Sequence, residues 1–226
     1  MKHRMADSPG FTLLEVLVAV AVSAMVLMTL LTSFNTFLTS AQEVEQDIDL
    51  MERLQPGLRV MTADLRQVFI LQPPRYHPPK FNDDPDPYRF QGDETAVDGR
   101  VFSRLAFTST NHLIPGEHPV YGVARIDYYV HSYGGRFDLH RSDRLLPLET
   151  DLDPCRDPVL VEDIRTFSLA FSGENGEDSQ AWDSDSEEYE FSVPFRVTLT
   201  VETGTDESKE MLTGSVILPV SRQVSQ

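Results

Sequence analysis

The chain has 226 residues, 36 of them acidic and 19 basic, for a formal net charge of −17. An acidic balance of that size argues against nucleic-acid binding and against docking to anionic lipid headgroups, which both need positive surface. Cys155 is the sole cysteine, so no intrachain disulfide forms. Lys2, His3 and Arg4 open a short leader that contains Asp7 and ends at Gly10. From Phe11 to Leu31 the only ionisable side chain is Glu15, and no Pro or Gly interrupts. Twenty-one helical residues rise about 30 Å, the thickness of a bilayer's hydrocarbon core. A buried core helix seldom runs that long without a polar face. The run therefore reads as a membrane span. The basic residues before it keep the N-terminus cytoplasmic and send the rest to the periplasm or exterior. A cleaved secretory signal would carry its small-residue site after the apolar region. Here Thr32 to Phe37 offers none, and the small residue, Gly10, comes first. Cutting there leaves the apolar segment on the mature protein. Glu15 is costly at such a depth and is a functional candidate for that reason. Its fitting partner is a positive charge at the same depth, which cleavage after Gly10 would create as the α-amine of Phe11.

Beyond the span, Val44, Ile48 and Met51 share a helical face, and Leu58, Met61, Leu65 and Val68 resume it after Pro56-Gly57. Pro56 predicts a kink or short break, with helix then running to about Leu71. Pro73-Pro74 and Pro78-Pro79 end it, and the segment to Gly99 reads as irregular loop. From Arg100 the apolar period becomes two. Leu105 and Phe107, then Ile126, Tyr128 and Val130, then Phe137 and Leu139 mark strands, with Gly134-Gly135 as a hairpin turn. Residues 164–171 form another strand. Phe195, Val197, Leu199 and Val201 form the next, and Gly204-Thr205-Asp206 turns it into a strand over 212–218. The pattern predicts an α+β chain whose long N-terminal helix packs on an antiparallel β domain, built as two sheets or one large curved sheet. The organisation is leader 1–10, transmembrane and assembly helix 11–34, continuation of the helix over 35–71, and β domain 72–226.

Catalytic signatures are missing. The six histidines are scattered and make no H-E-x-x-H motif, and there is no G-x-S-x-G, G-x-G-x-x-G or Walker loop. His131 and His140 flank the predicted hairpin as ordinary strand residues. Eight carboxylates crowd residues 174–190. Within them Asp183, Asp185 and Glu187 resemble the start of a calcium loop, but the central glycine and the twelve-residue spacing are lacking. A solvated acidic loop is the competing reading.

Gly10-Phe11-Thr12-Leu13-Leu14-Glu15-Val16-Leu17-Val18-Ala19 resembles the N-terminal signature of type IV pilins and type II secretion pseudopilins. That resemblance implies cleavage between Gly10 and Phe11 by the prepilin peptidase and N-methylation of Phe11. It implies that Glu15 pairs with a neighbouring subunit's N-terminal amine during assembly. It also implies the pilin architecture, a helix half in the membrane and half packed on a sheet. The later order is a helix ending near Asp64-Leu65-Arg66-Gln67, strands at 105–108 and at Asp127-Tyr128-Tyr129-Val130, and Leu139-x-Arg141. Phe167-x-Leu169-x-Phe171, a lone Trp182 and a final hairpin ending Leu218-Pro219 follow. This order is similar to the J-type minor pseudopilin. The resemblance implies a non-enzymatic subunit of the inner membrane with a periplasmic C-terminal domain. It would sit at the tip of a type II secretion pseudopilus, beside I-type and K-type minor pseudopilins. A minor pilin that primes a type IV pilus is the alternative.

Overall fold

The computed structural model of the chain describes residues 12–80, 83–112, 122–147, 152–204 and 209–222. Two units emerge, Met1–Ile48 and Asp49–Gln226. A single helix, α1 (Leu13–Arg66), contributes to both. Its N-terminal part, Leu13–Leu38, is long and apolar enough to cross a membrane, and none of its side chains is buried. The helix runs through Pro56 without a break, contrary to the sequence expectation. Pro56 is exposed, and the helical turns on either side of it bury Leu54 and Met61 in the core.

The helix also stops earlier than expected, at Arg66 rather than Leu71. The Ser109 hydroxyl reaches the last carbonyls, 3.0 Å from that of Asp64 and 3.1 Å from that of Gln67. Carbonyls left open at a helix end are thereby satisfied by a strand residue. The chain then becomes β1 (Val68–Phe69), which pairs antiparallel with residues 108–109.

The β domain is built from β2 (Gln91–Val97), β3 (Arg100–Ser109), β4 (Ala124–Tyr133), β5 (Arg136–Leu145) and β6 (Val159–Val161), followed by β7 (Ile164–Ser172), β8 (Asp178–Ser179), β9 (Trp182–Asp183), β10 (Arg196–Gly204) and β11 (Lys209–Ile217). They form two antiparallel sheets. The first runs β6-β5-β4-β3-β2-β9 with β1 on β3, and the second runs β11-β10-β7-β8. The β4–β5 hairpin turns at Gly134 and Gly135, both with positive φ, as a two-residue primed turn requires. Strand β2 lies inside the segment expected to be loop. It pairs with β3 across Asp98-Gly99, which also has positive φ at both positions. Phe195 falls just outside β10 and is 43 % exposed, so it does not share the buried face of Val197, Leu199 and Val201.

Apolar side chains from both sheets meet between them. Phe90 lies 5.7 Å from Phe107 and 6.0 Å from Phe171, ring centre to ring centre, and Phe107 stacks on Tyr128. Gly92 lets this packing close: a Cβ there would stand 2.1 Å from Phe171 Cζ. Leu54, Met61 and Leu65 of α1 are fully buried in the same core. The helix approaches both sheet edges. A Cβ on Gly57 would meet Val161 of β6 at 2.7 Å, and one on Gly214 of β11 would meet Leu58 at 2.9 Å. The last turns of α1 therefore fill the gap between the open edges of the two sheets.

Candidate functional site

Gly10 and Phe11 lie outside the described residues. The described residues begin at Thr12, and there Glu15 has a defined local role. The Glu15 backbone N–H donates to Thr12 Oγ1 at 3.3 Å, and the Thr12 backbone N–H donates to Glu15 Oε2 at 3.4 Å. This reciprocal pair is a capping box, with threonine at the cap and glutamate three residues on. The carboxylate thus serves donors that the helix would otherwise leave open in an apolar medium. Val16, Ala19, Val20, Ser23, Ala24 and Leu27 share a concave strip of the helix with Glu15. Small side chains at that spacing let a second helix approach closely in a membrane. Glu15 is exposed, so an adjacent subunit has access to it.

The other end of α1 carries a site that sequence reasoning passed over. Asp64 and Arg141 have side chains 0 % and 1 % exposed and form an ion pair. Arg141 Nε donates to Asp64 Oδ2 at 2.7 Å and Nη2 to Oδ1 at 3.2 Å. Asn111 Nδ2 adds a donor at 2.6 Å, and the Tyr128 hydroxyl adds another. Arg141 Nη1 in turn reaches Asp143 Oδ2 at 2.6 Å, and Asp143 Oδ1 meets His112 Nδ1 at 2.5 Å. Burial works against the charged Arg141, but the hydrogen bond and charge of Asp64 outweigh it, and its pKa rises. Burial, reinforced by Asp64, raises the Tyr128 pKa as well. Every hydrogen-bonding demand of the Asp64 carboxylate is met, the condition for a charge pair to survive inside a core. The network ties the final turn of the helix to β4 and β5. Asp64 at the helix end and Arg141 in Leu139-x-Arg141 both stood out in the sequence, but not their pairing.

The acidic loop follows a similar logic. Asp183 lies 3.6 Å from Arg89 Nη1. Asp185 accepts from the Tyr76 hydroxyl at 3.1 Å and from the Asp86 backbone N–H at 2.9 Å. Glu187 opens a 3₁₀ turn capped by Ser186. Among the described residues, no three His, Cys, Asp or Glu side chains come together to hold a metal ion. Arg222 is buried against this cluster, 3.4 Å from the centre of the Tyr76 ring and 3.8 Å from Asp86 Oδ2. Burial raises the Asp185 pKa, against hydrogen bonds from Asp86 and Tyr76 that lower it. His140 is also structural. It stacks on Tyr129, and its Nδ1 lies 3.0 Å from the Asp157 carbonyl.

Two family models match the chain. The prokaryotic N-terminal methylation motif covers residues 5–31, and type II secretion system protein J covers residues 32–212. The second match spans well over half of the chain and includes Asp64, Arg141, the first sheet and the second sheet as far as the start of β11. The chain belongs to the type II secretion protein J family. It is a minor pseudopilin of a type II secretion system, which disfavours a pilus-priming minor pilin. No curated protein sequence matches it significantly. The family is a structural component of the secretion apparatus, and its members associate with other pseudopilins of the pseudopilus. The apolar helix Leu13–Leu38, the one candidate span among the described residues, and the methylation motif fit a single-pass, membrane-anchored protein.

Proposed function

We propose that this pseudopilin is a non-catalytic subunit of the pseudopilus tip. It is inserted in the inner membrane with its leader cytoplasmic and its β domain periplasmic. Prepilin peptidase cuts between Gly10 and Phe11, and Phe11 is N-methylated. Glu15 then pairs with the N-terminal amine of a neighbouring subunit, and the β domain meets I-type and K-type minor pseudopilins. One observation carries the reading: a lone carboxylate, five residues past Gly10, at the entry of an apolar helix with no covering side chains. Membrane insertion costs a few kcal/mol for that carboxylate, which the capping box offsets in part and a partner charge would offset further.

The test has two arms. Mass spectrometry of the N-terminal peptide after co-expression with a prepilin peptidase should find N-methylphenylalanine from Phe11. An intact Met1 terminus would sink the processing step. Crosslinking in membranes should then show Glu15→Ala inserted and processed but poorly recovered with its I-type and K-type partners. A full-length complex unchanged by the substitution would mean that the β domains alone hold the tip together.

A further inference from the structure

Arg141 and Arg222 are both buried, and they are held in opposite ways. Arg141 donates from Nε, Nη1 and Nη2 to carboxylates of Asp64 and Asp143. Arg222 has a side chain 0 % exposed, yet its Nε, Nη1 and Nη2 are all buried without an acceptor. Two other contacts hold it. The guanidinium carbon lies 3.4 Å from the centre of the Tyr76 ring, and Nη1 lies 3.8 Å from Asp86 Oδ2, which has no donor of its own. A buried cation gives up its hydration, and an ion pair compensates fully only where hydrogen bonds complete it. Burial accordingly lowers the Arg222 pKa, against the opposing pull of Tyr76, Asp86 and Asp185.

This guanidinium sits on a tail beyond the sheets. Strand β11 ends at Ile217, and the Leu218 N–H makes one further bond, to the Phe195 carbonyl at 3.0 Å. Past that point the tail is tied by side chains. Gln72 Nε2 donates to the Ser221 carbonyl at 3.0 Å, and the Arg222 N–H donates to Ser192 Oγ at 3.3 Å. Pro219 and Ser221 are exposed and Val220 is half-buried. The tail thus joins two connections, one between β1 and β2 and one between β9 and β10. Those connections also bind each other, because the Tyr76 hydroxyl and the Asp86 N–H both donate to Asp185. Asp86 and Asp185 repel, which contributes to the raised Asp185 pKa, and Arg222 is a cation set against both.

We propose that residues 219–222 are a releasable strap, pinned by Arg222, whose opening loosens residues 84–88 and 185–192 together while both sheets stay paired. Release returns water to every N–H of the guanidinium. Arg141 would gain little that way, since its nitrogens are already bonded. For Arg222 the regained hydration offsets much of what opening breaks, which is one cation–π contact, one long ion pair and two hydrogen bonds. No strand has to unpair, and such openings cost less than global unfolding and involve cooperative units. With the strap away, Asp86 and Asp185 lose that cation and the Tyr76 ring is uncovered.

The experiment is hydrogen–deuterium exchange, read by mass spectrometry, on the full-length protein in detergent micelles. Arg222→Ala removes the pin and leaves Asp86 unpaired. It should speed exchange about tenfold in peptides over 84–88, 185–192 and 218–222, the scale of one cation–π contact. Peptides of β3, β4, β5 and β10 should not change. The double variant Arg222→Met with Asp86→Asn removes both charges and keeps volume. It should slow exchange in the same three segments below the wild-type rate, because release no longer rehydrates a cation. Gln72→Ala, on the exposed side of the tail, should speed all three by about threefold through loss of the Ser221 bond. A rise confined to 218–222 in Arg222→Ala or Gln72→Ala would overturn the proposal, as would one spread equally through the strands. Exchange in the double variant as fast as in the wild type would overturn it too, by showing that the unbonded guanidinium does not set the opening.

Discussion

Asp64 shows what one buried charge does in this molecule. Its carboxylate takes donors from Arg141, Asn111 and Tyr128, and it lies on the helix while the others lie on or beside the first sheet. Removing one partner of a buried pair leaves the other uncompensated, at a cost of about 3–5 kcal/mol. Asp64→Ala should therefore lower the unfolding free energy by that amount, read from the urea midpoint of a fragment starting at residue 49. The double change Asp64→Leu with Arg141→Met should recover only part of the loss, because it removes the buried pair but takes Arg141 from Asp143 and the acceptor from Asn111 and Tyr128. A double variant as unstable as Asp64→Ala would show that packing, not charge, dominates there. Glu15, at the other end of the helix, is a different case. It is exposed, so its worth is set by the capping box and by a partner subunit rather than by the fold of one chain.

At the scale of elements, α1 keeps its helix across a proline, and the β domain depends on a glycine. Pro56 removes one helix hydrogen bond and crowds the preceding turn, and it is exposed. Pro56→Ala should stabilise the fragment by about 1–2 kcal/mol, the helix gain less the unfolded-state entropy that proline had removed. A lower melting temperature for this variant would mean that the proline sets a bend that the packing of Leu54 and Leu58 needs. Gly92 of β2 faces the opposite constraint. A methyl group there would enter the Phe171 ring, so Gly92→Ala should cost about 1–3 kcal/mol or more. Thermal unfolding followed by near-ultraviolet circular dichroism checks it, since Phe90, Phe107 and Phe171 report on the same core.

For the whole molecule, the division into two units sets solubility. A fragment from residue 49 retains Leu54, Met61 and Leu65 in the core and loses the uncovered apolar span. It should be soluble and monomeric by analytical ultracentrifugation, while the full chain fractionates with membranes. Aggregation of the fragment would show that its surface needs a partner's cover. Acid response belongs to this scale too. Burial raises the folded-state pKa of Asp185 above its ordinary value of 3.8. From that value upward to the raised one, the folded protein keeps a proton that the unfolded chain releases. This group's contribution is therefore greatest below the ordinary value and is lost as pH rises through the folded one. Asp185→Asn should flatten that slope, visible as a smaller difference in melting temperature between pH 4 and pH 7. An unchanged slope would assign the pH response to other carboxylates.

Much of the architecture was written in local pattern. The apolar run, its single glutamate and the Gly10-Phe11 junction need only chain composition to be read, because a bilayer responds to length and hydropathy before any tertiary contact exists. Period-two alternation likewise marked β3, β4, β5, β7 and β10, since each buries one face. The missed elements have a common cause. Strands β1, β6, β8 and β9 have two or three residues each, too few for any period, and exist only because a longer strand offers a ladder. Strand β2 was hidden in a proline-rich stretch, although Asp98-Gly99 is a hairpin signal in its own right. The helix end at Arg66 was set by the Ser109 hydroxyl, and the Asp64–Arg141 pair joins residues 77 positions apart. The sequence by itself therefore determined the membrane anchor, the fold class and the family. Tertiary structure decided which charges meet, because that depends on which strands lie side by side and not on what stands next to each residue in the chain.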